Sequence, residues 1–316
     1  MMYLTELEKG SKITNMEKIR YSEMFYSVQG EGRFVGVPSV FFRTFGCNFE
    51  CRGFGQPRGD FIPIEQMPHN TDPKANPDHP EAYKTFEELP VTNIGCDTSA
   101  SWSAKYKHLA AWDTVDVIAK KLTAMTPEGK WTCSNGQDVH LVITGGEPLM
   151  WQKQITALLT QPEFADIKNV TFETNTTHKL KPEFVQMMLD LSFGPTRNPE
   201  NFVKFTWSCS PKLTCSGEKW EEAILPDVAA EYYGLPGRNF YFKFVVSDDQ
   251  DVEEVDKAVA LYKEKQIDCD VYLMPCGATQ EGQAKTARQV AELCLKKGYK
   301  FSPRLHVDLF GNAWGT

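Results

Sequence analysis

The chain has 316 residues, of which 41% are hydrophobic and 24% charged, and this composition excludes disordered, collagen-like and coiled-coil proteins. With 34 Lys and Arg against 42 Asp and Glu, the net charge is −8, which argues against a protein that holds nucleic acid by its phosphates. No segment approaches the ~18 apolar residues that span a membrane, and residues 1–20 lack the apolar stretch of a signal peptide, so we expect a cytoplasmic protein without a membrane partner.

Short β-rich runs alternate with helical runs along the chain. Apolar or β-branched runs bounded by Gly, Pro, Asn or Asp are typical of buried parallel strands. In chain order, these runs predict strands at 39–45, 139–144, 170–174, 203–209, 240–246, 271–274 and 301–307.

Helices are predicted between these strands. Apolar residues recur at helical spacing over 115–125, after Asp113 and Thr114, and over 252–262, after Asp248 and Asp249, which are possible caps. Further helices are predicted at 150–161, 181–191, 218–232 and 283–297. Strand–helix alternation repeated about six times predicts an α/β protein with right-handed βαβ units in one parallel sheet or partial barrel.

Residues 52–95 break this alternation. They contain seven of the 19 prolines, which excludes a long helix or a central strand there. A loop of this length in a compact domain is usually functional or mobile.

Residues 29–36 (QGEGRFVG) are rich in glycine. The spacing G-x-G-x-x-x-G is one residue longer than a dinucleotide fingerprint and no clear helix follows, which argues against that site. The segment is either a tight glycine turn or a loop whose backbone amides approach a small polar ligand.

Cysteines and a Gly-Gly turn follow two neighbouring predicted strands. Cys47 and Cys51 come after the first, where loops of α/β folds build sites. They are either two buried thiols or ligands of zinc or an iron–sulfur cluster. Residues 143–148 (ITGGEP) close the next strand, and Glu147 either accepts hydrogen bonds from a ligand's ammonium group or caps a helix that starts at Pro148.

The combination of C-x3-C with T-G-G-E-P resembles the radical S-adenosylmethionine (SAM) superfamily. Local segments are similar to the 7-carboxy-7-deazaguanine synthase family: 23–25 (EMF), 28–32 (VQGEG), 36–38 (GVP), and Phe42-Arg43 before Gly46-Cys47. Further matches are 172–175 (FETN), 210–212 (SPK), 304–307 (RLHV) and 311–312 (GN). The resemblance runs from residue 21 to the end of the sequence, apart from 52–95 and parts of 196–240.

The third cysteine departs from the family pattern C-x3-C-x2-C-D-T. Phe54 stands where that cysteine is expected, whereas Cys96-Asp97-Thr98, with Trp102, comes 44 residues after Cys51. Either Cys96 is an ordinary cysteine and the cluster is lost, or 52–95 is an insertion inside the cluster loop. We favour the insertion, because the Asp, Thr and Trp accompany Cys96.

The other cysteines show no dense spacing. They are Cys133, Cys209, Cys215, Cys269, Cys276 and Cys294, and free thiols are a simpler interpretation than an auxiliary cluster.

The resemblance implies a single domain over 1–316 with a reduced and modified radical SAM partial (βα)6-type barrel of parallel strands. It implies a 4Fe–4S cluster with three Cys ligands, SAM as a regenerated cofactor, Mg2+, a flavodoxin- or ferredoxin-type electron donor and a homodimer. In the family, a 5′-deoxyadenosyl radical converts the small molecule 6-carboxy-5,6,7,8-tetrahydropterin to 7-carboxy-7-deazaguanine with loss of ammonia, on the route to queuosine.

The same resemblance assigns roles to individual residues. The cluster ligands would be Cys47, Cys51 and Cys96, and Thr98 would bind Mg2+. The substrate would contact Val28, Gln29, Gly30, Arg43, Thr144 and His306. SAM would contact Gly95, Asp97, Gly146, Glu147, Ser210, Pro211, Lys212 and Met274.

Two other functions fit part of the pattern. A radical SAM activating enzyme, which makes a glycyl radical on a protein partner, shares the cluster and Gly-Gly-Glu but should lack the 29–32 segment and Arg43. A non-catalytic module could bind zinc through Cys47, Cys51 and Cys96.

Overall fold

The computed structural model describes residues 17–195, 198–235 and 239–316, and these residues form one mixed sheet. The strands are β1 (Lys18–Val28), β2 (Pro38–Thr44), β3 (Ala111–Thr114), β4 (His140–Gly145), β5 (Asn169–Thr174), β6 (Lys204–Cys209), β7 (Asn239–Val246), β8 (Asp270–Pro275) and β9 (Lys300–Phe301).

The strand order is β3-β1-β2-β4-β5-β6-β7-β8-β9. β1 runs antiparallel to β2 and β3, and every other neighbouring pair is parallel. Since β3 and β9 are the edges, the sheet formed by the described residues is open. This confirms the predicted α/β fold with a parallel sheet that does not close into a full barrel.

Helices connect most of the parallel strands. They are α1 (Pro68–Thr71), α2 (Val115–Ala124), α3 (Gln152–Leu159), α4 (Pro182–Phe193), α5 (Trp220–Ala223), α6 (Pro226–Tyr233), α7 (Asp249–Glu264), α8 (Gln280–Lys297) and α9 (Leu305–Phe310). Asp248 caps α7 by accepting a hydrogen bond from the amide of Asp251, as predicted. Thr114 is at the N-cap of α2, but its hydroxyl donates to Asp116 instead of capping an amide.

Three sequence predictions are corrected by the structure. The single helix predicted at 218–232 is two short helices, because Pro226 cannot continue a helix and instead starts α6. The strand predicted at 301–307 stops at Phe301, since Pro303 has no N–H for a sheet ladder, and α9 begins at Leu305. β1 and β3 were not predicted at all.

Successive side chains along each strand point to opposite faces of the sheet, so one face packs on the apolar core and the other faces a large cavity. On β7, Phe240, Phe242 and Phe244 point into the main apolar core, whereas Lys243 and Val245 line the large cavity on the other face. The same period of two holds on the neighbouring strands. Polar residues of successive strands therefore face one cavity.

The Pro-rich segment 52–95 folds as short turns and α1, without a long helix or a strand, as predicted. Arg58 attaches it to α7 through ion pairs with Asp251 and Glu254. At its other end, the side-chain oxygen of Asn93 accepts hydrogen bonds from the amides of Ala278 and Thr279. One end of the segment is thus fixed to α7 and the other to the loop that follows β8.

Across the described residues, no helix has the length and apolar character needed to cross a bilayer. Residues 1–16 of the segment examined for a signal peptide lie outside the described part of the chain.

Candidate active site

Loops that follow the carboxyl ends of the parallel strands surround one cavity. The residues predicted for the site that line it are Val28, Gln29, Gly30, Arg43, Cys47, Cys51, Gly95, Cys96, Asp97, Thr98, Thr144, Gly146, Ser210, Lys212, Met274 and His306. Two predicted residues, Glu147 and Pro211, do not line it. Residues far apart in sequence, including both ends of the Pro-rich segment, therefore meet at one place.

Three cysteines line this cavity and lie near one another. Cys47, Cys51 and Cys96 belong to one apolar cluster with Phe49 and Ala223. Burial raises the pKa of the Cys47 thiol to about 12, and burial likewise raises the pKa of Cys51 and Cys96. Thiols in such surroundings stay protonated unless a metal replaces the proton.

The three cysteines are candidate metal ligands. Within the described residues, no group of three His, Cys, Asp or Glu side chains is arranged to hold a single metal ion. Thiolates are also the ligands of iron–sulfur clusters. The buried Cys51 and the half-buried Cys47 and Cys96 line one cavity with the cation Lys212. This set fits an iron–sulfur cluster with three protein ligands.

The loop that carries Cys51 is held by a carboxylate. Glu218 accepts hydrogen bonds from the amides of Glu50 and Cys51 at 2.9 and 2.7 Å. Cys51 itself has a positive φ of 49°, a conformation that is uncommon for residues other than glycine. These contacts fix the backbone from which the Cys51 thiol projects.

The Gly-Gly turn packs directly on the cysteine loop. The amide of Glu147 donates to the carbonyl of Gly46 at 2.7 Å. A Cβ atom at Gly146 would lie 2.2 Å from that carbonyl oxygen and 2.9 Å from Cβ of Cys47. Only glycine fits at 146, so the turn can present its backbone next to the thiols.

Glu147 acts inside the wall of the cavity. Its carboxylate accepts hydrogen bonds from the amides of Leu149 and Asn175 and from the hydroxyl of Thr174, and burial raises its pKa to about 7. Glu147 thus caps the short helix that starts at Pro148, as one of the two interpretations predicted. Its carboxylate also binds the end of β5.

Asp97 and Thr98 follow the third cysteine. Oδ2 of Asp97 accepts a hydrogen bond from Nη2 of Arg304 at 2.7 Å. The hydroxyl of Thr98 lies 3.4 Å from Sγ of Cys96 and makes no helix-capping bond. A hard oxygen atom is therefore available beside the thiols.

Another part of the cavity lining is polar and charged. Nε of Arg43 donates to Oε1 of Glu23 at 2.7 Å, and the described residues offer no hydrogen-bond partner for its two terminal nitrogens. Burial alone would lower the pKa of Arg43, but Glu23 raises it above its ordinary value. The guanidinium is thus charged and has donors free for an anionic ligand.

Gln29 and Thr144 are both tied to Glu173. Nε2 of Gln29 donates to Oε1 of that carboxylate at 3.2 Å, and the hydroxyl of Thr144 donates to Oε2 at 3.1 Å. The side-chain oxygen of Gln29 accepts from the amide of Glu31. One carboxylate therefore orients two predicted substrate residues.

Glu31 lies between two buried cations. Its carboxylate is 2.5 Å from Nζ of Lys243 and 2.9 Å from Nε of Arg304. Burial alone would raise the pKa of Glu31, but these cations hold it well below its ordinary value. The three side chains form a fixed ionic network in the wall of the cavity.

His306 explains the glycine at position 30. A Cβ atom at Gly30 would lie 1.9 Å from Nδ1 of His306, so the loop and the imidazole can touch only if residue 30 has no side chain. Burial lowers the pKa of His306, which favours the neutral ring. A short 3-10 turn at Gly32–Phe34 follows, unlike the long helix of a dinucleotide site.

Several lining residues escaped the sequence analysis. Glu23, Glu31, Glu173 and Arg304 stand inside matched motifs but were given no role. Lys243 could have been recognised from the sequence, because it is a cation inside the apolar run of β7. No sequence pattern indicated the other lining residues, which are Trp314 and, in the Pro-rich segment, Phe54, Val91 and Asn93.

Comparisons with known proteins find relatives that match over most of the chain. The chain is 28% identical over 298 residues to 7-carboxy-7-deazaguanine synthase from Pyrobaculum aerophilum, covering 94% of this chain and 97% of the relative. It is 27% identical to the protein of the same name from Halobacterium salinarum, covering 92% and 90%. No family model matches the sequence.

A solved structure shows the same fold. The crystal structure of QueE from Escherichia coli matches with a TM-score of 0.51 and 19% identity, covering 92% of this chain and 95% of that one. These relatives support the resemblance to 7-carboxy-7-deazaguanine synthases. They give no support to a glycyl-radical activating enzyme. The chain is therefore similar over nearly its whole length to proteins named 7-carboxy-7-deazaguanine synthase, and it shares the fold of QueE.

Proposed function

We propose that this chain is a radical SAM lyase that converts 6-carboxy-5,6,7,8-tetrahydropterin to 7-carboxy-7-deazaguanine with net loss of ammonia. The observation that carries the proposal is the meeting of three thiols, the Gly-Gly turn and a charged pocket around one cavity. Relatives named for the same product support the choice of substrate.

Cys47, Cys51 and Cys96 would hold a 4Fe–4S cluster. When bound, this group supplies one-electron cleavage of SAM to a carbon radical. Three protein ligands, rather than four, would leave the cluster accessible to the amino and carboxylate groups of SAM. The protein's part is to position the reactants and to exclude water.

The residues proposed to bind SAM approach from four strand ends. The backbone of Gly146 would meet its amino group, and Lys212, which donates to the hydroxyl of Ser210 at 3.3 Å, would approach from the end of β6. The full proposed set is Gly95, Asp97, Gly146, Glu147, Ser210, Pro211, Lys212 and Met274. Glu147 and Pro211, which do not line the cavity, would act by shaping the backbone of their turns.

The substrate would occupy the charged part of the cavity. The free terminal nitrogens of Arg43 would hold the substrate carboxylate with paired hydrogen bonds. Val28, Gln29, Gly30, Thr144 and His306 would contact the pterin, with Gln29 and Thr144 kept in orientation by Glu173. Thr98 would bind Mg2+ through its hydroxyl, together with the substrate carboxylate and water.

The remaining expectations complete the proposal. The chain would form a single domain, with 52–95 as an insertion in the cluster loop. It would work in the cytoplasm as a homodimer, with a flavodoxin- or ferredoxin-type electron donor.

The test is an assay with three distinguishable results. Protein reconstituted with iron and sulfide without oxygen is incubated with SAM, a reductant and 6-carboxytetrahydropterin. We expect a brown protein that forms 7-carboxy-7-deazaguanine, and Cys47→Ala should abolish the product. A brown protein that cleaves SAM but never forms this product would contradict the proposal and favour an activating enzyme. A colourless protein that retains zinc would indicate the zinc-binding module.

A further inference from the structure

Trp314 lies between the site and the Pro-rich segment. The centroid of its indole ring is 6.0 Å from Cζ of Arg43 and 5.1 Å from the ring centroid of Phe86. Trp314 also lines the cavity of the site. One side chain thus contacts both the proposed carboxylate-binding arginine and the segment 52–95.

Phe86 is firmly held on the side of the Pro-rich segment. It is 4% exposed and belongs to a small apolar cluster with Ala75, Leu89, Ala100 and Tyr106, against which Trp314 packs. This cluster is separate from the main core of the sheet. The position of the indole ring therefore depends on the fold of segment 52–95.

Glu23 connects Arg43 to the backbone beside the indole. Its Oε1 accepts a hydrogen bond from Nε of Arg43 at 2.7 Å, and its Oε2 accepts one from the amide of Gly315 at 2.8 Å. Glu23 is buried. Because one carboxylate binds both groups, the guanidinium and the chain next to Trp314 share one rigid frame.

The orientation of Arg43 decides what it can bind. A guanidinium grips a carboxylate by two parallel hydrogen bonds only when its plane faces the ligand correctly. An aromatic ring beside the cation restricts that plane and favours the charged group. Glu23 engages Nε, and Trp314 lies beside the carbon that bears the two free nitrogens.

We propose that Trp314 is a positioning residue for the substrate carboxylate, and that segment 52–95 tunes specificity by holding Trp314 against Arg43 through Phe86. The proposal rests on the proposed function, since it assumes a carboxylated pterin as substrate. The competing explanation is that Trp314 only fills the small apolar cluster. If that were its only role, Trp314→Ala would weaken the binding of pterins with and without a carboxylate equally.

The test measures a preference between two ligands. Reconstituted, SAM-loaded protein is titrated without reductant, by anaerobic calorimetry, with 6-carboxytetrahydropterin and with tetrahydropterin, which lacks the carboxylate. Wild type should prefer the carboxylated ligand. Trp314→Ala should reduce this preference about tenfold, as expected for a misaligned charge-assisted pair, with unchanged iron content and unchanged affinity for tetrahydropterin. In turnover, KM should rise more than kcat falls.

Matched variants separate the ring from its support. Trp314→Phe keeps an aromatic ring and should lose less of the preference than Trp314→Ala. Phe86→Leu keeps Trp314 but removes its ring partner, and should change the preference in the same direction. Trp112→Ala removes an exposed tryptophan on β3 and should change nothing.

The outcomes are distinguishable. A folded Trp314→Ala protein with the wild-type preference, or with equal losses for both ligands, would overturn the inference and leave the proposed function intact. A wild-type protein that binds neither pterin would contradict the proposed function, and the inference with it. If Trp314→Ala does not fold, the preference of Phe86→Leu decides between the same alternatives.

Discussion

Nη2 of Arg304 lies 2.7 Å from Oδ2 of Asp97, the residue that directly follows Cys96. The same guanidinium lies 2.9 Å from Glu31, and its side chain is only 8% exposed. A segment near the C-terminal end is therefore tied to the point at which the Pro-rich segment returns to the cavity.

Arg304→Met should destabilise the fold strongly. The change leaves the carboxylates of Glu31 and Asp97 without their shared cation, and breaking a buried pair in this way costs about 3–5 kcal/mol of unfolding free energy. Urea denaturation of the two proteins would measure the difference. Arg288→Ala is the matched control, since it removes an exposed pair with Glu292 and should have no measurable effect. Equal effects of both variants would contradict this account of the network.

Arg43→Lys should weaken substrate binding while sparing the cluster. Lysine keeps the positive charge but cannot form two parallel hydrogen bonds. The lost charge-assisted bond corresponds to about 1.5–3 kcal/mol, or at least about a tenfold rise in the substrate Kd. Iron content and the visible spectrum should match wild type. Unchanged steady-state kinetics would defeat the assignment of Arg43.

Thr98→Ala should reduce the dependence of the rate on Mg2+. The hydroxyl that lies 3.4 Å from Sγ of Cys96 is the proposed protein ligand, and removing it leaves the ion to water and substrate oxygens. Rates would be measured in Mg2+ titrations after chelation. The proposal fails if the rate of the wild-type enzyme does not depend on Mg2+. It also fails if Thr98→Ala keeps full activity and the same dependence of the rate on Mg2+.

Acid should destabilise the protein partly through His140. This ring is buried at the start of β4, 4.9 Å from that of Phe34, and burial lowers its pKa. Below about pH 6.5 the unfolded chain takes up a proton that the folded ring resists, so stability is lost as pH falls.

His140→Asn should therefore lose less stability than wild type between pH 7.5 and 5.5. Unfolding free energies in urea at the two pH values would show it. The variant His108→Asn, which changes an exposed histidine, should follow wild type. A pH dependence identical in His140→Asn and wild type would show that His140 does not contribute.

The sequence predicted the parallel strands well because they are continuous apolar runs, as in 240–246. It missed β1, where the register shifts between Tyr21 and Glu23 and the polar residues Ser22 and Glu23 are both buried. The strand predicted at 301–307 failed because apolar residues beyond Pro303 belong to α9. Local patterns indicate which residues are buried, but tertiary pairing decides between strand and helix.

Much of the candidate site could be predicted from motifs, since glycines and cysteines with fixed spacing carry it. The ionic network was not predicted, because the partners of Glu31 come from positions 243 and 304. Trp314 was missed for the same reason, since its importance depends on contacts with residues 43 and 86. Pairings over such sequence separations are not encoded in any local pattern.

The central claim is that Cys96 completes the cluster site across 44 intervening residues. A long loop permits this, since each doubling of loop length costs only about 0.6 kcal/mol of closure entropy. The controls are Cys133→Ala, Cys215→Ala and Cys294→Ala, which remove cysteines that lie outside the cavity lining.

The most direct measurement is the iron content of reconstituted Cys96→Ala, taken together with its visible spectrum and its cleavage of SAM. We predict a folded protein that has lost most of its iron and the absorbance of the cluster, while the three control variants keep both. A Cys96→Ala protein that still binds four irons and cleaves SAM would contradict the account, because another residue would then complete the site.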